Sequence, residues 1–269
     1  MCLITIQPGS TVTSGAGSAL CTTGIAPTPS DIIVTDGTNS VTANVVVLGY
    51  GCQYQSGYLF AIDDTTSSTS SMGGKVAATT DQVAQNTTYW SRPATDSIWG
   101  ISDASTVASP SPNTSSGQPA TLAVGQLNCD AINDGFCATN NLVIFYSSET
   151  TPSANYAFSQ CKQNISGLTD WYLPSTCELG PFGTTGAIGN YPYNVSSPVC
   201  ISTTMNIQTK LTSNSIGFAG IYWSSTEPSD RPREYAWRQS LSSVSSGSQF
   251  DYYKDFSRYG VRCARALTL

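Results

Sequence analysis

Apolar residues alternate, or run in β-branched series, through residues 1–49, in "CLITIQ", "DIIVTDG" and "SVTANVVVLGY", with Pro, Gly and Ser between them. Such runs predict strands, because β-branched side chains fit a pleated surface. "TDGTNS" carries the turn residues of a hairpin. This β-rich segment is too small for a core of its own, so it is expected to pack on the remainder or to pair with strands of another chain. After it, "GYLFAIDD" reads as a buried strand ending in acids, and "MGGKVAATTDQ" as the next strand and turn. "SSTSS" and "VASPSPNTSSGQP" have loop composition. "TPSANYAFSQCKQN" predicts the clearest helix, with Pro152 near its start and Tyr156, Phe158 and Cys161 turned to a core. "PSTCELGPF" predicts a second, short one: Ser175 caps it and Glu178 stands three residues on, the capping-box spacing. "CISTTMNIQTKLTS" predicts a third. The last third is strand-like again, in "GIYWSST", "EYAWRQSLS", "GSQFDYYK" and "YGVRCARAL". No internal repeat stands out, and no apolar run approaches the ~20 residues of a membrane span.

Composition adds a setting. Of 269 residues, 39% are hydrophobic and 10% charged, where an ordinary soluble domain carries about 25% charge. Ser, Thr, Asn and Gly take the place of the missing charge, a surface that suits an extracellular protein. Net charge is −6, which excludes wrapping of duplex nucleic acid. The charge is uneven. Up to Lys210 there are four bases against twelve acids; from Glu227 there are seven bases and five acids, so the two parts carry −8 and +2. A polyanionic partner would meet the C-terminal part.

Nine cysteines occur without a C-x-x-C pair, and histidine is absent. Close Cys or His pairs make zinc sites; scattered cysteines favour disulfides and an oxidising compartment. The odd count leaves one thiol over. Cys2 is expected in a disulfide to Cys21 or Cys52, with a lipidated first residue as the alternative. Met1 runs straight into "CLITIQPGS", so secretion implies a leader removed from, or lying outside, this sequence.

Four chemistries compete. In "YWSSTE", Ser224, Ser225 and Glu227 suggest a hydrolase, but a serine nucleophile needs a base. No histidine supplies it, and no Gly-x-Ser-x-Gly elbow is present. Tyr222 and Trp223 are better read as core, with Ser224 to Thr226 satisfying backbone groups at the strand end. Trp171 and Trp237 are read as core as well. Paired carboxylates for glycoside cleavage come second: Glu178, Glu227, Asp230 and Glu234. Glu178 is explained by its cap, and Glu227 by a pair with Arg231 or Arg262. Calcium is third. Asp130, Asn133 and Asp134 lie in "CDAINDGFC", a loop that a local Cys129–Cys137 bridge would close, though Asx-Gly loops are usually turns; Asp63 and Asp64 are lesser candidates. The fourth is a binding surface: Arg231, Arg233, Arg238, Tyr252, Tyr253, Lys254, Arg258 and Tyr259 gather where the chain's few bases concentrate. Arginine forks suit carboxylate and sulfate, and aromatic faces suit sugar rings or protein anchors. Arg262 and Arg265 are read as structural pairs.

"DWYLPSTCEL" (170–179), "YWSSTE" (222–227), "YAWRQSL" (235–241) and "YGVRCARA" (259–266) occur in that order, with "YQSGYLFAIDD" and "GGKVAATTDQ" upstream. Together they resemble the Lcl C-terminal domain family, named for the Legionella collagen-like adhesin, over about residues 50–266. The resemblance implies an α+β, C-type-lectin-like fold: small antiparallel sheets with two or three short helices, stapled by disulfides, its N- and C-terminal strands paired. It implies a Cys161–Cys263 bridge between helix and last strand; Cys177 and Cys200 would make another. The expected organisation is a β-rich segment, 1–49, a candidate assembly region, ahead of a lectin-like domain, 50–269. The expected function is non-catalytic: a secreted or surface-displayed bacterial recognition or adhesion domain that binds glycan or host or cell-surface protein through its C-terminal third. It is expected to form a homo-oligomer and to need no cofactor, calcium aside. The alternative is a structural subunit of an extracellular trimer or filament. The chain departs from the adhesin in lacking a collagen Gly-X-Y repeat and in being acidic.

Overall fold

The computed structural model describes residues 21, 24–62, 73–91, 101, 125–130, 132–147, 155–181, 200, 205–212, 216–228, 234–241 and 249–268. Its elements, in chain order, are β1 (Ser30–Thr35), β2 (Ser40–Val45), β3 (Gln53–Tyr54), β4 (Gly57–Ala61), β5 (Lys75–Ala78), β6 (Val83–Thr88), α1 (Gly135–Ser147), α2 (Ala157–Cys161), α3 (Thr176–Leu179), α4 (Ile207–Thr212), β7 (Gly220–Trp223), β8 (Tyr235–Leu241), β9 (Gln249–Tyr253), β10 (Tyr259–Val261) and β11 (Ala264–Ala266). The fold is α+β, with small sheets, few helices and four disulfides among the described residues.

β1 and β2 form the hairpin predicted around "TDGTNS". The Asp36 carboxylate accepts the backbone N–H groups of Asn39 and Thr38, which stabilises its charged form and holds its carboxyl below the usual range. Val34 faces Val41 and Ile32 faces Ala43, whereas Asp31 faces Asn44 and Ile33 faces Thr42. Side chains alternate along a strand, so one face of the hairpin is apolar and the other mostly polar. Neither is covered: Val41 is 71% exposed and Ile33 64%. Among the described residues the hairpin pairs with no further strand. Its base is tied down by the Cys21–Cys52 disulfide and by backbone bonds from Gly24 to Gly51 and from Gln53 to Ile25. Cys2 lies outside the described residues, and its expected partners are bonded to each other instead.

The remaining strands make a four-stranded antiparallel sheet, ordered β11-β5-β4-β3, and a five-stranded one, ordered β6-β10-β7-β8-β9. In the second, β7 and β10 run parallel through Gly260 and Tyr222. Strand alternation splits the interior in two. Leu59, Val76, Trp171 and Trp223 enter one cluster, beneath α1 and α2, with Trp90, Leu142, Phe145, Tyr156 and Phe158. Their neighbours Phe60, Ala77, Tyr172 and Tyr222 enter the other, beneath α4, with Leu179, Ile207, Leu211 and Leu241. Strands buried on both faces are continuously apolar, which is why "GYLFA" and "KVAA" read as runs rather than as alternation.

The hydrophobic pattern assigns no element to the stretch that forms α1. Its buried residues Ala138, Leu142, Phe145 and Tyr146 keep helical spacing, but Asn140–Asn141 and Val143–Ile144 among them read as turn and strand. The Asn141 amide settles the conflict: it donates to the Leu127 carbonyl and accepts from the Leu127 N–H. α2 is shorter than predicted and starts after Tyr156; Pro152 lies outside the described residues. α3 has the predicted capping box, with Ser175 and Glu178 in reciprocal bonds. The Glu178 carboxylate also accepts from Lys75 Nζ at 2.6 Å, Tyr172 OH at 2.9 Å and the Gly135 N–H at 3.3 Å. This buried group thus joins β5, the start of α1 and α3. A side chain at residue 135 would put Cβ 2.4 Å from Glu178 Oε2 and 2.5 Å from Ser175 N, so glycine is required there.

Candidate functional site

The five-stranded sheet ends at β9, and around that edge lie the described members of the Arg/Tyr group. β8 and β9 pair in a register that sets Arg238 opposite Phe250 and Tyr235 opposite Tyr253. Arg238 leans over three rings: Tyr259 at 4.7 Å, Tyr252 at 5.2 Å and Phe250 at 5.3 Å from its guanidinium carbon to the ring centre. Such faces attract a cation through their quadrupole. Burial pulls the guanidinium pKa below its ordinary value; the nearby Tyr259, Tyr252 and Asp251 act the other way. Its Nε is buried without a hydrogen bond. On the opposite face, Tyr253 packs on Tyr235 at 4.4 Å and is 42% exposed.

Past β9 the chain turns, and the turn separates Lys254 from Arg258. Lys254 points inward. Its ammonium pairs with Glu227, both side chains at 4% exposure, and stands 4.4 Å over Trp90. Its backbone bonds Glu234 and Trp90, so it pegs two segments together inside the protein. Phe256, at the turn, is 81% exposed. Arg258 is exposed, lies 4.6 Å over the Tyr89 ring and donates to its hydroxyl. Arg231, Arg233 and Asp230 lie outside the described residues. The exposed members are therefore Tyr253, Phe256 and Arg258, while Arg238 and Tyr252 are half-buried; the ring partners include Tyr89, Tyr235 and Phe250. The last three escaped the sequence reading; cross-strand register brings Tyr235 and Phe250 in, and Tyr89 arrives from just past β6, far away in sequence.

The other candidates have structural roles. Ser224 donates its hydroxyl to the Trp237 carbonyl, and its own carbonyl accepts from Trp90 Nε1. Ser225 N–H donates to Pro174 O, and the Thr226 hydroxyl accepts from Thr176 N–H. All three are buried, with Tyr222 and Trp223 beside them in the core. Glu227 pairs with Lys254; Arg262 pairs with Asp81, at 2.5 Å, and Arg265 with Asp170, at 2.5 Å. Burial, with the charge of Asp81, pushes the Tyr222 hydroxyl up to about 12. In the suggested calcium loop, Asp134 is turned to the helix: its carboxylate accepts the Cys137 N–H at 2.9 Å, the position of an N-cap. Asn133 donates to Asp130 across the same turn. Asp63 and Asp64 lie outside the described residues. The cysteines are joined as Cys129–Cys137, Cys161–Cys263 and Cys177–Cys200. Comparison with protein-family models, with curated proteins and with solved structures found no match for this chain.

Proposed function

We propose that this chain is a secreted or surface-displayed recognition domain of C-type-lectin-like build, of the kind the Lcl C-terminal domains represent, and that it binds glycan or cell-surface protein without catalysis. One observation carries the reading: the exposed rings of Tyr253, at the end of β9, and Phe256, in the turn after it, are followed closely by the exposed Arg258. Amphipathic rings and arginine dominate recognition surfaces because they offer large contact area with few torsions to freeze. Four disulfides fit an oxidising, extracellular setting. The buried, hydrogen-bonded Ser224 and ion-paired Glu227 favour a binding role over hydrolysis.

The test is binding of the purified chain to arrayed glycans and surface proteins. Tyr253→Ala and Phe256→Ala remove exposed rings, so they are expected to leave the fold intact and to weaken binding about tenfold each. No retention above background on any array would refute the recognition reading. Unchanged affinity in both variants would move the site elsewhere.

A second reading has its own observation. The β1–β2 hairpin leaves its apolar face open, and an isolated two-stranded sheet is marginal in water. That favours an assembly role, in which the hairpin meets the same hairpin of a second copy. The apolar face holds no charged residue, since Asp31 lies on the other face and Asp36 at the turn, so a like-to-like contact sets no charges against each other.

A further inference from the structure

The described arginines divide unequally. Arg262 and Arg265 are ion-paired and Arg258 donates to a tyrosine hydroxyl. The Arg238 side chain, among the described residues, has neither hydrogen bond nor ion pair. Its contacts are three ring faces, at 4.7 to 5.3 Å. Ring faces attract a guanidinium but leave its N–H donors unused, and those donors lie in the guanidinium plane as a fork matched to two oxygens. Of its three nitrogens, only Nε is both buried and unpartnered. The group is half-buried, so an acceptor reaching it would bond in a partly dry site, where charge-assisted hydrogen bonds are strongest.

We propose that Arg238 is an anchor for recognition and takes a single carboxylate on an acidic sugar, whose ring packs on the half-buried aromatic side chains beside it. This deepens the recognition reading and rests on it. Arg238 offers one open fork. Asp251 stands close by, and the whole chain carries −6. A polyanion such as a sulfated chain brings several charges into that field and is repelled; a lone carboxylate brings one, which the fork neutralises. The expectation that the basic C-terminal part serves a polyanion is thereby narrowed to a monoanion. Tyr252 and Tyr259, each half-buried, supply the ring faces beside Arg238.

The probes are immobilised glucuronic acid and N-acetylneuraminic acid, each beside its amide, with glucose 6-sulfate and glucose as further arms. The whole chain is expected to bind the acids at least about tenfold better than the amides. That preference should fade as pH falls through the sugar carboxyl's own pKa, about 3, whereas a sulfate stays charged. Arg238→Lys keeps the charge and loses the fork; Arg238→Gln loses both. Each is expected to reduce acid binding at least about tenfold with the circular dichroism spectrum unchanged. Should Arg238→Gln fail to fold, Arg238→Lys and the acid-to-amide ratio of the unaltered chain still decide. Equal binding of acid and amide, a preference for the sulfate, or a folded Arg238→Lys that binds the acids like the unaltered chain would overturn the anchor while leaving the recognition surface standing. Silence on every arm, and on the wider arrays, would overturn both.

Discussion

Glu178 accepts hydrogen bonds from Lys75, Tyr172, Ser175 and Gly135 while almost fully buried. Buried ion pairs add little net stability, yet removing one partner strands the other charge. Glu178→Ala is therefore expected to destabilise the protein by about 3–5 kcal/mol, read from urea unfolding. Adding Lys75→Met to it should recover part of the loss, and a double variant no better than the single one would refute the pairing. The cap half of this role was legible, because Ser175 and Glu178 are three residues apart. The Lys75 half was not, since its partner is 103 residues away. Lys254 shows the converse. Its neighbours suggested a binding surface, but a turn at the end of β9 rotates it into the core, onto Glu227 and Trp90. Arg238 was legible as a binding candidate; its three-ring setting depends on cross-strand register.

At the scale of elements, local chemistry spoke clearly and helix extent did not. The hairpin turn and α3 follow from turn residues and a capping box, and β7, β8 and β9 from aromatic-rich stretches. α1 was hidden because Asn141, a poor helix former, is held by the backbone of residue 127, a tertiary contact that overrides propensity. The disulfides pin these elements with unequal reach: Cys161–Cys263 spans 102 residues and Cys129–Cys137 spans 8. If a bridge acts by restricting the unfolded chain, replacing the long-range pair by serines costs about 4–5 kcal/mol and the short-range pair about 2–3 kcal/mol. Denaturant midpoints of the two double variants test the order. A larger loss for the short-range pair would mean that local strain or helix nucleation at α1, rather than chain entropy, sets its worth.

For the whole molecule the open question is what the hairpin meets. Val41 faces solvent, so Val41→Asp is expected to leave thermal unfolding within about 0.5 kcal/mol of the unaltered protein. The same change puts a charge on the apolar face that a second copy would bury. Light scattering over a concentration series should then show association in the unaltered chain and its loss in Val41→Asp. A monomer in both would end the assembly reading and leave the recognition edge untouched, because the two lie on separate sheets. The sequence reading expected a β-rich segment, 1–49, ahead of a larger domain. It did not foresee that the hairpin's base would be bonded to the larger part through Cys52.

That bond reroutes tension. A pull on the chain ahead of Cys21 crosses the sulfurs to Cys52 and enters β3, so the hairpin hangs beside the line of force rather than in it. The loop from Cys21 to Cys52, a sequence separation of 31 and about 100 Å when drawn out, remains slack that no pull can lengthen while the bridge holds. A protein tethered by its leading end in a flowing medium would keep a fixed reach, and its hairpin would stay free to grip or release a neighbour without bearing the drag.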